Sequence, residues 1–208
     1  MRYRDRVEAG RVLAEHLRSI AEEPVVVLGL PRGGVPVAAE IATALGAPLD
    51  IAVVRKLGAP FQPELGIGAI GEENVMVVNR DLAAALGISS EEIDRVARIE
   101  AAELARRVVS FRRDRPPLGL TGKTALIVDD GLATGYTARA AIEIGRRRGA
   151  IRVIVAVPVG AQPTVRELER IADRVVCPYQ PRFLGAVGQW YEDFAQTSDQ
   201  EVTALLES

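Results

Sequence analysis

Three short runs, residues 25–28, 125–128 and 153–157, are apolar throughout and bounded by turn formers. Runs of that length, rich in branched residues and free of alternation, predict strands buried on both faces of a parallel sheet. Residues 51–54 and 174–177 add two further strand candidates. Between them, residues 35–45, 138–148 and 164–172 predict helices, and a longer helix opens at Ser89, where Ser89 and Glu92 have capping-box spacing. Ile93, Val96, Ala97, Ala101, Leu104 and Val108 then recur on one side of it. Residues 57–79 differ, with glycines at 58, 66, 68 and 71, prolines at 60 and 63, and a turn at Glu72-Glu73-Asn74. That pattern predicts a mobile β-hairpin with a loop in front of it. Alternating strands and helices make an α/β protein with a parallel, Rossmann-like sheet.

Composition narrows the class. With 208 residues and 48% apolar content, the chain can bury one sizeable core, so a single domain is expected over 1–208, with its core over about 1–178. A net charge of −2 argues against bulk nucleic-acid binding. Arg106, Arg107, Arg112, Arg113 and Arg115 are expected on a solvated or dimer-contacting surface. Cys177 is alone, which excludes an intrachain disulfide and suits a reducing compartment. His16, the sole histidine, lies on an N-terminal amphipathic helix, which removes His-based triads and His-rich zinc sites. No run is long enough to span a membrane and the start lacks a signal-peptide core, so a cytoplasmic protein without membrane partners is expected.

The candidate chemistry sits at the end of the 125–128 strand, in TALIVDDGLATGYT from Thr124 to Thr137. This loop joins the carboxyl end of a strand to the amino end of a helix, where open α/β sheets bind ligands and a helix dipole favours phosphate. Thr134 and Thr137 supply hydroxyls, and Gly135 permits close approach to an anion. Asp129 and Asp130 accept hydrogen bonds, which suits vicinal hydroxyls and a divalent cation. A ribose 5-phosphate fits the combination; the plainer alternative is that Asp-Asp-Gly only ends the strand. After the first strand, Pro31, Arg32, Gly33 and Gly34 form a second anion-friendly turn, alternatively a plain strand-to-helix connection with an exposed Arg. Arg55 and Lys56 end the 51–54 strand on the same side of the sheet, where Lys56, one of only two lysines, suits a diphosphate as a point charge. The alternative there is a solvated strand end. Aromatic residues are 4% of the chain, yet Tyr179, Phe183, Trp190, Tyr191 and Phe194 fall in one short stretch, either to stack on a flat ligand or as ordinary packing.

Residues 125–137, an apolar strand, two acids, a short turn and T-G-x-T, resemble the phosphoribosyl pyrophosphate (PRPP) signature of type I phosphoribosyltransferases. The resemblance implies a parallel-sheet core, a flexible hairpin loop that closes over the reaction and brings Glu64 near it, and a small C-terminal hood over about 179–208. It implies a transferase that moves the 5-phosphoribosyl group of PRPP to a nitrogenous base or related small acceptor, releasing pyrophosphate, in nucleotide salvage. Asp129 and Asp130 would hold the ribose hydroxyls and, through them or water, magnesium; Ala133, Thr134, Gly135, Tyr136 and Thr137 would wrap the 5-phosphate. Pro31, Arg32, Gly33, Gly34, Arg55 and Lys56 would take the pyrophosphate, with Asp129, Asp130 and Lys56 as the catalytic set and a non-proline cis peptide near Leu30 to Gly33. Phe183, Trp190 and Tyr191 would meet the acceptor, and a homodimer is expected. Ala133 stands where oxopurine transferases carry an acid. The L-P-R-G-G-V-P-V-A and R-K-L-G-A-P segments are similar to those of uncharacterised bacterial phosphoribosyltransferase-like proteins, and the alternative on the same fold is a PRPP or nucleotide sensor.

Overall fold

The apolar runs do form a parallel sheet. The computed structural model describes residues 2–20, 23–113 and 115–207; Met1 and Ser208, the ends of the expected domain, lie outside them. Strands β1 (Val25–Gly29), β2 (Leu49–Ile51), β6 (Thr124–Val128), β7 (Arg152–Ala156) and β8 (Arg174–Val176) pair in the order β2-β1-β6-β7-β8, all parallel. Odd and even positions of each strand face different layers, which is why the runs carry no polar residue. Val25, Val27, Leu126 and Val128 pack with α1 (Arg6–Glu15) and α2 (Gly34–Leu45). Val26, Leu28, Ala125 and Ile127 pack with α5 (Tyr136–Arg147) and α6 (Gln162–Leu168).

Residues 54–78 leave that sheet. Strands β3 (Val54–Ala59), β4 (Gln62–Gly71) and β5 (Val75–Val78) make a separate antiparallel sheet, backed by Ala83 of α3 (Arg80–Ala85) and Ile93 of α4 (Ser90–Arg112). The strand expected over 51–54 is therefore two strands. Its parallel part ends at Ile51, and Val54 already belongs to the antiparallel sheet; Ala52 and Val53 are apolar because they are buried at the crossing.

One of the arginines expected on the surface is interior. Arg112 donates to Glu72 at 3.0 Å, to Asp50 at 2.7 Å and to the Ile51 carbonyl at 2.7 Å, and its side chain is 7% exposed. Asp50 in turn accepts from Arg148 at 3.0 Å. This network ties α4 and the end of α5 to the point where the chain passes from β2 to β3. The C-terminal segment also divides: residues 179–198 stay near the sheet's carboxyl edge, whereas α7 (Asp199–Glu207) packs on α2 and α4 with Val202 among Val35 and Phe111. The amino terminus joins the first part, with Tyr3 bridged to Tyr191.

Candidate functional site

Strands β1 and β6 are neighbours in register, Gly29 opposite Val128, so the turns that follow them emerge side by side. Leu30 N–H donates to the Val128 carbonyl at 2.9 Å, and the chain turns through a cis Pro31–Arg32 bond into α2. The two glycines here are required by proximity. A Cβ on Gly33 would lie 2.0 Å from Asp130 Oδ2, and one on Gly34 would lie 2.6 Å from the Val128 carbonyl oxygen. The two anion-friendly turns read from sequence are thus packed against each other.

The acid pair is held from several directions. Asp130 N–H donates to Asp129 Oδ1 at 2.9 Å, the Tyr191 hydroxyl donates to the Asp130 carbonyl at 2.6 Å, and Arg6 Nε donates to Asp130 Oδ2 at 2.8 Å. Arg6 also donates to the Ala195 carbonyl at 2.7 Å, with its guanidinium carbon 3.9 Å from the centre of the Phe194 ring. Burial and the neighbouring Asp130 charge push the Asp129 carboxyl well above its ordinary range. Burial also raises Asp130, and Arg6 opposes that shift. Two buried carboxylates side by side repel, and the guanidinium offsets part of the cost.

The following loop is bound to its neighbours through Leu132, which donates to the Val159 carbonyl and accepts from Ala161 N–H. Ala133 and Thr134 are exposed, while the Ala133 carbonyl accepts from Thr164 Oγ1 at 2.7 Å. Gly135 takes φ +77°, a value that only glycine adopts without strain, and starts α5. Tyr136 and Thr137 are already its first helical residues, so the helix begins two residues before the sequence pattern indicated. The loop's exposed side opens onto a cavity of about 700 Å³ between α5 and α6.

Other candidates lie differently. Arg32 pairs with Asp199 at the start of α7, 3.2 Å away. Arg55 and Lys56 do not end a strand of the core; they lie within β3 and point to opposite faces. Arg55 pairs with Glu100 of α4 at 2.7 Å, so as a pyrophosphate ligand it would have to leave that partner. Lys56 donates to the Glu64 carbonyl at 2.5 Å, and with Tyr136 it closes on the space a Gly66 side chain would fill. Of the rings, Phe183 is 90% exposed and Trp190 is half-buried, edge-on to Tyr179. Tyr191 is buried between Tyr3 and Phe194 with its hydroxyl on the Asp130 backbone, so its ring is not free to stack on an acceptor. Sequence reasoning missed Arg6, which sits among six arginine-rich N-terminal residues with no motif to mark it, and Asn79, whose side chain donates to the Tyr136 hydroxyl at 2.9 Å.

Fold and site together define an α/β protein in which a glycine turn, a buried acid pair and an exposed loop meet at the carboxyl edge of a parallel sheet. The family model for the phosphoribosyl transferase domain matches residues 6–189. A Mycobacterium tuberculosis H37Rv protein, Rv0571c, whose name places it among the phosphoribosyl transferases by inference, is 52% identical over 203 residues. The match covers 98% of this chain and 46% of that protein, so the chain spans about half the length of the curated relatives it matches. Among solved structures, the TT1426 protein from Thermus thermophilus is 42% identical with a TM-score of 0.82, covering 99% of this chain and 98% of that one. The AQ2163 protein from Aquifex aeolicus shares the fold at 12% identity and a TM-score of 0.51, covering 84% of this chain and 74% of that one. The chain belongs to the phosphoribosyl transferase domain family.

Proposed function

We propose that the protein transfers the 5-phosphoribosyl group of PRPP to a nitrogenous base or a related small acceptor, with release of pyrophosphate. The observation that carries this reading is the packing of Gly33 directly on Asp130. It brings a glycine turn suited to a diphosphate, an acid pair suited to ribose hydroxyls and an exposed phosphate-type loop to one edge of the sheet. Asp130 Oδ2 is taken by Arg6 and Asp129 Oδ1 by the chain itself, leaving one oxygen on each carboxylate for the 2- and 3-hydroxyls. The backbone N–H groups at the start of α5, with Thr134 and Thr137, would bind the 5-phosphate. Arg32 would leave Asp199 for the diphosphate.

Hard carboxylate oxygens fit magnesium. Among the described residues no group of three or more His, Cys, Asp or Glu side chains could hold a metal alone, so Asp129 and Asp130 would share the ion with ligand oxygens and water. When bound, magnesium neutralises charge on the diphosphate. The chain's own part is to orient the sugar through Asp129 and Asp130, whose negative charge favours an oxocarbenium-like C1 as the bond to pyrophosphate breaks. Residues 57–79 would shield that bond from water.

The test is magnesium-dependent pyrophosphate release from PRPP across a panel of bases, with Asp130→Asn as the blank. Release stimulated by one base supports transfer and identifies the acceptor. PRPP binding without release under any base points instead to a sensor on this fold, and absence of PRPP binding overturns the assignment of Asp129 to Thr137.

A further inference from the structure

The cavity beside the phosphate-type loop is larger than a phosphate monoester requires. At about 700 Å³ it falls within the range of sites that hold whole small ligands. The loop and the start of α5 line it through Ala133, Thr134 and Tyr136; Arg139 of α5, Glu167 of α6 and Arg170 just after it line the rest. That part lies outside the acid pair and the glycine turn, and the function proposed above does not use it.

Its polarity is mostly that of a donor. Asn79 Oδ1 is committed to Leu82 N–H at the start of α3, which fixes the amide so that Nδ2 faces the Tyr136 oxygen. Tyr136 therefore accepts from Asn79 and must place its own proton elsewhere, and its side chain lines the cavity. Glu167, the one carboxylate in the lining, is engaged by Arg139 at 2.5 Å. Arg170 makes no side-chain hydrogen bond or ion pair among the described residues, and neither does Thr134. With the Thr134 hydroxyl given to the 5-phosphate, a free guanidinium and a phenol with an uncommitted proton face the space that begins at that loop. Such a set suits phosphate oxygens.

We propose that this cavity is a second anion subsite, which takes a phosphoryl group joined to the ribosyl 5-phosphate, so that nucleoside 5-diphosphates bind across the loop. The proposal rests on the reading of residues 133–137 as the 5-phosphate site. A diphosphate bound in this way covers the sugar and 5-phosphate positions that PRPP needs, and so competes with PRPP.

The experiment is calorimetric titration of matched pairs, AMP with ADP and UMP with UDP, into the full chain in magnesium-free buffer, repeated with Arg170→Gln. Comparing within a pair cancels the contribution of the base. Arg170 is exposed, and an unchanged melting temperature establishes that the variant folds. The expected result is a diphosphate bound on the order of tenfold tighter than its monophosphate, the scale of one charge-assisted hydrogen bond. The advantage should largely disappear in Arg170→Gln, with monophosphate affinity within about twofold of the parent. Equal binding of mono- and diphosphates overturns the subsite while leaving the loop assignment standing. A diphosphate advantage that survives in Arg170→Gln also overturns it, by placing the second phosphate elsewhere. If neither ligand of either pair binds, the loop assignment fails and the subsite with it.

Discussion

Replacing Arg6 with Gln tests how the acid pair is kept in place. The side chains of Arg6 and Asp130 are 12% and 15% exposed, so the 2.8 Å bond between them is little screened by solvent. Losing a charge-assisted hydrogen bond costs about 1.5–3 kcal/mol, and losing the stacking on Phe194 adds roughly 0.5–2 kcal/mol. Asp130 limits the loss by taking up a proton, so a net cost of about 2–3 kcal/mol at neutral pH is expected. For a chain of this size that lowers Tm by about 4–12 °C. The sign with pH follows from the direction of the shift. Burial raises Asp130 in the folded state and Arg6 opposes it, so without Arg6 the folded pKa climbs further. A carboxyl raised on folding contributes stability below its unfolded pKa and loses it as pH rises through the folded one. The variant therefore falls further behind the parent as pH increases from about 4 toward 8. At the acid end the ionic part is gone, and the loss of a neutral hydrogen bond to Asp130 and of the Phe194 and Ala195 contacts remains. The assay is urea unfolding of both proteins at several pH values in magnesium-free buffer, where effects common to both cancel. A difference below about 0.5 kcal/mol, or one constant from about pH 4 to 8, would refute the reasoning.

Three more outcomes are expected. Gly33→Ala places a methyl group 2.0 Å from Asp130 Oδ2, so the Asp130 carboxylate with its Arg6 partner, or the turn, must move; PRPP affinity by calorimetry should drop tenfold or more, with about 1–3 kcal/mol of lost stability, and parental affinity would contradict the packing. Arg112→Ala leaves Asp50 and Glu72 buried without their shared partner and should cost about 3–5 kcal/mol in urea unfolding, far more than an exposed arginine. Asp129→Asn removes a carboxyl that burial and Asp130 push up, so relative to the parent the ligand-free variant should gain stability as pH rises above the ordinary carboxylate range, while PRPP binding weakens; a Tm difference that does not change with pH would count against the shift.

The parts of this molecule legible in its sequence are those whose partners lie within a few residues. A strand buried on both faces reads as an apolar run, the Ser89 capping box closes over three residues, and Asp129 to Thr137 carry strand, acids, loop and helix start in one stretch. Residues 51–54 failed because an apolar run records burial and not the sheet it belongs to; burial there comes from the crossing between two sheets. Arg112 failed for a related reason. The nearby Arg106 and Arg113 are exposed, and what draws Arg112 inside is Asp50, 62 positions away. No local pattern distinguishes an arginine with such a partner from one without.

The same logic explains why the site's cation was hidden. Arg6 is 124 positions from Asp130 and 189 from Ala195, and it reaches both only because the amino terminus and the 179–198 segment meet over the carboxyl edge of the sheet. The aromatic cluster was visible, but two of its rings serve that meeting. Tyr191 and Phe194 pack with Tyr3 and Arg6, and the Tyr191 hydroxyl holds the backbone of Asp130. Val187 meanwhile presses on Gly131, where a Cβ would lie 2.4 Å from its Cγ1. The 179–198 segment is thus built into the acid pair through both side chains and backbone. Under the proposed function, an acceptor entering above Asp129 and Asp130 would meet the exposed Phe183 and the half-buried Trp190 or displace Val187, and displacing Val187 would couple acceptor choice to the geometry of the acid pair.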